Sequence, residues 1–246
     1  ERLLGVSLTG IMDNRLTNGK ERNLDHLLES LKAEAVAVNK EFAEKMGIPQ
    51  SVAITCVKPS GTVSQLVDAA SGIHARHNPF YVRTVRGDKK DPLTKMMTDM
   101  GFPVEDDVMN PTQTAVFSFP MKVHDGAVFR TDMTAIEQLE LWLTYQKSWC
   151  EHKPSVTISV KEDEWMEVGA WVYKNFDFMS GVSFLPFSEH TYQQAPYQDT
   201  NKEGYEFLKE KMPKNVDWSK LSEYEMSDMT IGSQELACVA GACEIQ

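Results

Sequence analysis

Two hydrophobic periods alternate along the 246-residue chain and predict an α/β protein. Short apolar or β-branched runs are followed by longer segments in which apolar residues recur every three or four positions. The clearest helix pattern begins at Leu24 and ends at Gly47 and Pro49, which stop helices. Four strands of parallel type are predicted, at residues 3–9, 52–57, 156–160 and 182–186.

Two further strands form a predicted appendage, because residues 80–86 alternate in polarity and residues 114–119 are β-branched and aromatic. We expect these two strands to pair. Further helices are predicted over 91–101, from a capping box at 134–137 to before Pro154, over 162–176 and near 202–211. Four parallel strands cannot close a barrel, so either the sheet is open or the rest of a barrel precedes Glu1.

A turn of small residues follows the strand at 52–57, and residues 65–70 after it predict the first turns of a helix. Pro59 presets φ, and Gly61 leaves the backbone open to an approaching anion. Hydroxyl groups beside the free N–H groups of the helix start come from Ser60, Thr62 and Ser64. With the helix dipole, this pattern predicts a phosphate or carboxylate site. An ordinary capped helix start has the same local sequence, and the Walker spacing is absent.

The charge balance limits the classes of partner. Asp and Glu number 36 against 25 Lys and Arg, a net charge of −11, which disfavours non-specific attraction to nucleic acid or anionic membranes. No apolar run approaches the roughly 18 residues of a membrane span, and no signal peptide opens the chain, so we expect a cytoplasmic protein. Because Glu1 leads directly into an apolar run, we also expect the chain to be a piece of a longer protein.

The four cysteines do not resemble a secreted disulfide framework. Cys238 and Cys243 lie five positions apart among small residues, in a segment from about residue 227 that predicts a mobile tail. Such a pair can close a short disulfide and carry electrons between sites. A zinc knuckle that adds Cys150 and His152 is the alternative. The other two thiols are predicted to be small core residues: Cys56 and Cys150.

Two smaller features leave alternatives open. His74 and His77 lie three apart in a loop, but a metal site needs a further ligand that the sequence does not place, and no metal site is predicted. A local basic cluster faces either a phosphate or solvent: Arg76, Arg83 and Arg86.

Four motifs carry a resemblance to a known family: residues 55–64, 71–74 and 181–186, and the pair Cys238 and Cys243. Together they resemble the C-terminal part of a ribonucleotide reductase catalytic subunit, most of all the adenosylcobalamin-dependent (class II) ribonucleoside-triphosphate reductases. The resemblance implies a ten-stranded α/β barrel built of two halves. Residues 1–226 would supply the C-terminal half, and residues 227–246 would form a mobile redox tail.

The resemblance also implies roles for individual residues. Ser60 and Thr62 would donate hydroxyls to substrate phosphates, Gly61 and Val63 would donate backbone N–H groups, and Ser64 is adjacent. The implied chemistry is hydrogen abstraction from the ribose 3′ carbon, loss of the 2′ hydroxyl as water, and two-electron reduction by cysteines. The terminal cysteine pair would re-reduce the active-site disulfide, and thioredoxin or a relative would reduce that pair in turn.

The cofactor expectation depends on residues 184–187, a Phe-Leu-Pro-Phe segment. Classes that import a radical from a metal-containing partner resemble one another in having adjacent tyrosines there, so the resemblance implies adenosylcobalamin. The radical cysteine, its Asn and Glu neighbours and the substrate-reducing cysteines belong upstream, so the chain alone is expected to be inactive. The alternatives are a metal-radical (class I type) large subunit, a free-standing phosphate-binding α/β domain, and a non-catalytic interaction module.

Overall fold

The computed structural model describes residues 2–187 and 192–225. These residues form two compact units, one of residues 2–76 and 125–187 and the other of residues 77–124 and 192–225. The predicted redox tail, with Cys238 and Cys243, lies outside the described residues.

The strands, in chain order, are β1 (Leu3–Ser7), β2 (Ala53–Cys56), β3 (Phe80–Asp88), β4 (Val104–Asp106), β5 (Thr114–Lys122), β6 (Thr157–Val160), β7 (Ser183–Pro186) and β8 (Tyr197–Asp199). The α-helices are α1 (Leu24–Met46), α2 (Val63–Leu66), α3 (Pro92–Asp99), α4 (Ala135–Ser148), α5 (Trp165–Asn175), α6 (Lys202–Lys211) and α7 (Leu221–Tyr224). None of these described helices is both long and apolar enough to cross a membrane.

Two parallel strand pairs carry the first unit. β1 pairs with β2 across the connection that contains α1, and β6 pairs with β7 across α5. The four predicted parallel strands are therefore confirmed in position, but they form two two-stranded sheets and not one continuous sheet. The segment before β6 runs along the end of β2, where the Ser155 N–H donates to the Val57 carbonyl at 2.8 Å.

The core of the first unit is built around α4. The capping box predicted at its start is confirmed, since the Thr134 hydroxyl accepts from the Glu137 N–H and the Glu137 carboxylate accepts from the Thr134 N–H. Two fully buried aromatic side chains of this helix satisfy their polar atoms internally. The Trp142 indole donates to the Pro154 carbonyl at 3.1 Å, and the Tyr145 hydroxyl donates to the Thr17 carbonyl at 2.8 Å.

The helix α1 is confirmed over its predicted length, and it ends at Gly47 with φ +67°, a conformation that favours glycine. Only part of its apolar stripe is covered by the described residues: Leu24, Leu28 and Ala43 are buried. Three other residues of the stripe are exposed: Leu31, Val38 and Phe42.

The second unit is a four-stranded antiparallel sheet in the order β4-β5-β3-β8. The predicted pairing of the two appendage strands is confirmed, with Phe80 opposite Lys122 at one end and Asp88 opposite Thr114 at the other. The three-residue strand β8 was not predicted, because it is too short to show a period-2 pattern. It pairs with β3 near Tyr81.

The helix after Pro59 was predicted to continue through residues 65–70, but α2 ends at Leu66. Two contacts from distant residues explain the difference. The Ala70 N–H donates to the Asp13 carboxylate, and the Ala70 carbonyl accepts from the Gly10 N–H, so neither group is available to a continuing helix. Asp68 in between has φ +47°, which is outside the helical region.

Candidate functional site

The candidate site is the turn that follows β2, formed by Ser60, Gly61, Thr62 and Val63 and called here the 60–63 turn. Gly61, Thr62 and Val63 are exposed and Ser60 is half-buried. Within the described part of the chain, no group accepts a hydrogen bond from the backbone N–H of Gly61, Thr62 or Val63. Three neighbouring N–H donors at one exposed turn form a concentration of positive partial charge that suits an anion.

The short α2 changes the physical basis of this site. One helical turn aligns few peptide dipoles, so the helix dipole contributes little and the free N–H groups carry the attraction. Gly61 keeps the approach open, since a Cβ built at this position meets no protein atom within 4 Å. The exposed side chain of Lys58 lies two residues before the turn and adds a positive charge in the same region.

The two serines of the predicted site bond internally. The Ser64 side chain is fully buried, and its hydroxyl donates to the Ser60 carbonyl, so we leave Ser64 out of the proposed ligand set. The Ser60 hydroxyl lies 2.7 Å from the Thr9 hydroxyl and accepts from the Gly72 N–H at 2.9 Å. The sequence gives no local signal for Thr9, because 51 positions separate it from Ser60.

The predicted basic cluster does not form a phosphate site. Arg76 is buried, and its guanidinium forms a two-bond ion pair with Asp13 at 2.8 and 2.9 Å. Arg86 pairs with the buried Asp107 at 2.8 Å. Burial opposes ionisation of Asp107, but N–H donors from the following loop and the Arg86 guanidinium together hold its pKa below the usual value. Arg76 is therefore internal, whereas Arg86 is paired with Asp107 but keeps a third of its side chain exposed.

Both ring nitrogens of His74 are bonded within the first unit. Nδ1 faces the Ser71 carbonyl at 3.0 Å, and Nε2 accepts from the Thr157 N–H at 3.0 Å, which fixes a neutral ring with the proton on Nδ1. Burial lowers the pKa of His74, and the Ser71 contact offsets part of that shift. Across the described ranges, no group of three or more His, Cys, Asp or Glu side chains is arranged to hold a metal ion.

The predictions for the two non-terminal cysteines are confirmed. Cys56 and Cys150 are free and buried, and burial raises the pKa of the Cys150 thiol to about 12. A thiol with so high a pKa is a poor nucleophile and a poor metal ligand at neutral pH. The tail dithiol, Cys238 and Cys243, lies outside the described residues, so its role stays a prediction.

No family model matches the chain. Curated proteins resemble it over its whole length. An adenosylcobalamin-dependent ribonucleoside-triphosphate reductase of Lactobacillus delbrueckii is 26% identical over 275 residues, which cover 100% of this chain and 37% of the relative. A Euglena gracilis protein of the same name is 29% identical over 98% of this chain and 33% of its own length. A Dictyostelium discoideum protein, named "Probable adenosylcobalamin-dependent ribonucleoside-triphosphate reductase", is 30% identical over 99% of this chain and 32% of its own length.

The fold also matches that of a solved structure. A solved B12-dependent (class II) ribonucleotide reductase matches with a TM-score of 0.78 at 23% identity, over 92% of this chain and 35% of that protein. The chain thus spans about a third of the length of the relatives it matches. The resemblance predicted from the four motifs is confirmed: over its whole length, this chain is similar to part of an adenosylcobalamin-dependent ribonucleoside-triphosphate reductase.

Proposed function

We propose that this chain is part of a ribonucleotide reductase that converts ribonucleotides to 2′-deoxyribonucleotides by radical chemistry. In this proposal it supplies the C-terminal half of the ten-stranded barrel and holds the substrate's phosphates. The observation that carries the proposal is the 60–63 turn, whose three N–H groups find no acceptor among residues 2–187 and 192–225, in a chain similar throughout to reductases of triphosphates. The similarity over the whole chain also disfavours a free-standing phosphate-binding domain or a non-catalytic module.

In the proposed complex, phosphoryl oxygens accept hydrogen bonds from the N–H groups of Gly61, Thr62 and Val63. The exposed Thr62 hydroxyl adds a fourth donor, and Lys58 adds charge. Hydrogen bonds to ionised acceptors contribute more than neutral ones, so the site binds anions in spite of the acidic surface of the protein. The contribution of this chain to the reaction is therefore to fix the position of the ribose through its phosphates.

Substitution of Thr62 by Val tests the phosphate site in the full-length reductase. Loss of one hydrogen bond to a charged group corresponds to roughly 1.5 kcal/mol, or about a tenfold increase in KM for the ribonucleoside triphosphate. The exposed Thr131 is the matched control, and Thr131→Val leaves KM unchanged. Equal KM values for Thr62→Val and the control contradict the proposed site.

The tail dithiol is proposed to return the enzyme to its reduced state. Its two thiols become a disulfide while an active-site disulfide becomes two thiols, and a thioredoxin-like dithiol then reduces the tail by the same exchange. We expect Cys238→Ser to abolish turnover with thioredoxin and to retain turnover with dithiothreitol. Equal losses with both reductants would show a structural role instead.

Adenosylcobalamin is the proposed cofactor of the full reductase, and when bound it supplies the radical. The residues present fit this assignment, because β7 and Phe187 after it contain no tyrosine that could carry a radical from a partner subunit. No residue of this chain is assigned to the cofactor. Full activity with an iron-containing partner and without cobalamin would instead support the class I alternative.

A further inference from the structure

Three segments of the first unit meet directly behind the 60–63 turn. Thr9, which follows β1, contacts Ser60 at 2.7 Å between the two hydroxyl oxygens. The Gly72 N–H lies between them and donates to Thr9 Oγ1 at 3.0 Å and to Ser60 Oγ at 2.9 Å. Thr9 also donates to the Ala70 carbonyl at 3.0 Å. The turn is thus held by a hydrogen-bonded cluster of Thr9, Ser60 and Gly72, called here the Thr9 cluster.

The hydroxyl protons of this cluster can be assigned by counting. A hydroxyl has one proton to donate and two lone pairs. The Thr9 proton goes to the Ala70 carbonyl, which is an acceptor only, so the 2.7 Å contact is formed by the Ser60 proton pointing at Thr9. Both protons are then used inside the protein. In this arrangement Ser60 has no proton left for a phosphate oxygen.

A second contact fixes the far end of the same loop. Asp13 forms the buried ion pair with Arg76, and its Oδ2 also accepts from the Ala70 N–H at 2.6 Å. Gly72 completes the arrangement, since its φ is +53° and a Cβ there would lie 3.1 Å from the Lys58 carbonyl oxygen. The loop from Lys58 to Gly72 therefore returns to its own beginning and holds the 60–63 turn from behind.

We infer that Thr9 is a positioning residue for the phosphate-binding turn and that Ser60 acts through Thr9, not as a donor to the phosphate. The inference rests on the proposed function of the turn and explains why its ligand set, the N–H groups of Gly61, Thr62 and Val63 with the Thr62 hydroxyl, does not include Ser60. It also replaces the expectation that the Ser60 hydroxyl contacts substrate.

A double-mutant cycle in the full-length reductase tests this inference, with KM for the ribonucleoside triphosphate and kcat measured for each variant. The variants are Thr9→Val, Ser60→Ala and their combination, with Thr9→Ser as the conservative rescue. Thr9→Val removes the hydroxyl at nearly constant shape. Loss of a typical hydrogen bond corresponds to about a fivefold change in an equilibrium constant such as that for substrate binding. We expect Thr9→Val to raise KM by about fivefold with kcat within about twofold, and Thr9→Ser to restore KM.

The double variant separates the two roles of Ser60. If Ser60 acts through Thr9, the double variant has the same KM as Thr9→Val alone. The inference would be overturned if the double variant raised KM by the product of the two single increases. It would also be overturned if Ser60→Ala raised KM while Thr9→Val left KM unchanged. If Thr9→Val does not fold, Thr9→Ala takes its place in the cycle, and adding Ser60→Ala to Thr9→Ala should leave KM unchanged; a further increase in KM there would overturn the inference. A Thr62→Val variant with unchanged KM would contradict the phosphate site itself, a different failure from that of the cycle.

Discussion

Substitution of Gly61 by Ala separates binding from stability at the 60–63 turn. A Cβ at this position meets no protein atom within 4 Å, and Gly61 does not have the positive φ that favours glycine. The added methyl group therefore leaves the native fold intact and restricts only the unfolded chain. We expect the free energy of unfolding to rise by about 0.4–1 kcal/mol.

The effect on binding has the opposite sign. The open space beside the Gly61 backbone is the space that a phosphoryl oxygen needs, and the methyl group displaces the anion from at least one N–H donor. Loss of one hydrogen bond to a charged group corresponds to roughly 1.5–3 kcal/mol, or an increase in KM of about 10- to 150-fold. Steady-state kinetics and denaturant unfolding on the same preparation measure both quantities.

Gly169 in α5 is the matched control for Gly61. It is also exposed, and a Cβ there also meets nothing within 4 Å. Gly169→Ala is expected to stabilise the protein by a similar amount without changing KM. If Gly61→Ala stabilises the protein and leaves KM at the wild-type value, no substrate phosphate approaches the Gly61 backbone, and the proposed site is wrong.

Three further predictions concern the supports of the fold. The pKa of His74 in the folded protein lies below the ordinary histidine value of 6.5, so its contribution to stability is complete above pH 6.5 and is lost as pH falls. The free energy of urea unfolding should therefore change with pH by up to about 1.4 kcal/mol per pH unit, and this slope should weaken in His74→Asn. Identical slopes for the two proteins would contradict the prediction. Thr134→Ala should lower the free energy of unfolding by about 1 kcal/mol, whereas Thr131→Ala should change it little; equal losses would rule out the cap as the cause. Gly72→Ala should lower the free energy of unfolding by at least about 1–2 kcal/mol, since residue 72 has a positive φ. An unchanged unfolding midpoint would show that the loop adjusts to the added methyl group without cost.

Local signals in the sequence were sufficient for most elements. The stop at Gly47, the capping box at Thr134 and the period-2 pattern of β3 each depend on residues close in sequence, and each prediction is confirmed. The length of α2 depends on Asp13 and Gly10, which form hydrogen bonds with the N–H and carbonyl of Ala70 although they lie nearly 60 positions away. No local pattern carries such information, so the helix was predicted too long.

At the candidate site, too, some features depend on local sequence and others on distant residues. The sequence was enough to predict an anion site at the 60–63 turn, because glycine and small hydroxyl residues after a strand are a local signal. It could not show that the hydroxyls of Ser60 and Ser64 form hydrogen bonds inside the protein, since those bonds depend on Thr9 and on the burial of Ser64. Nor could it show that Arg76 pairs with Asp13, 63 positions away.

A crystal structure of the full-length reductase with a bound ribonucleoside triphosphate would show directly whether the 60–63 turn binds the phosphates. We expect phosphoryl oxygens within about 3 Å of the backbone nitrogens of Gly61, Thr62 and Val63, with Ser60 still hydrogen-bonded to Thr9. Phosphates bound elsewhere, with the 60–63 turn left in contact with solvent, would contradict it.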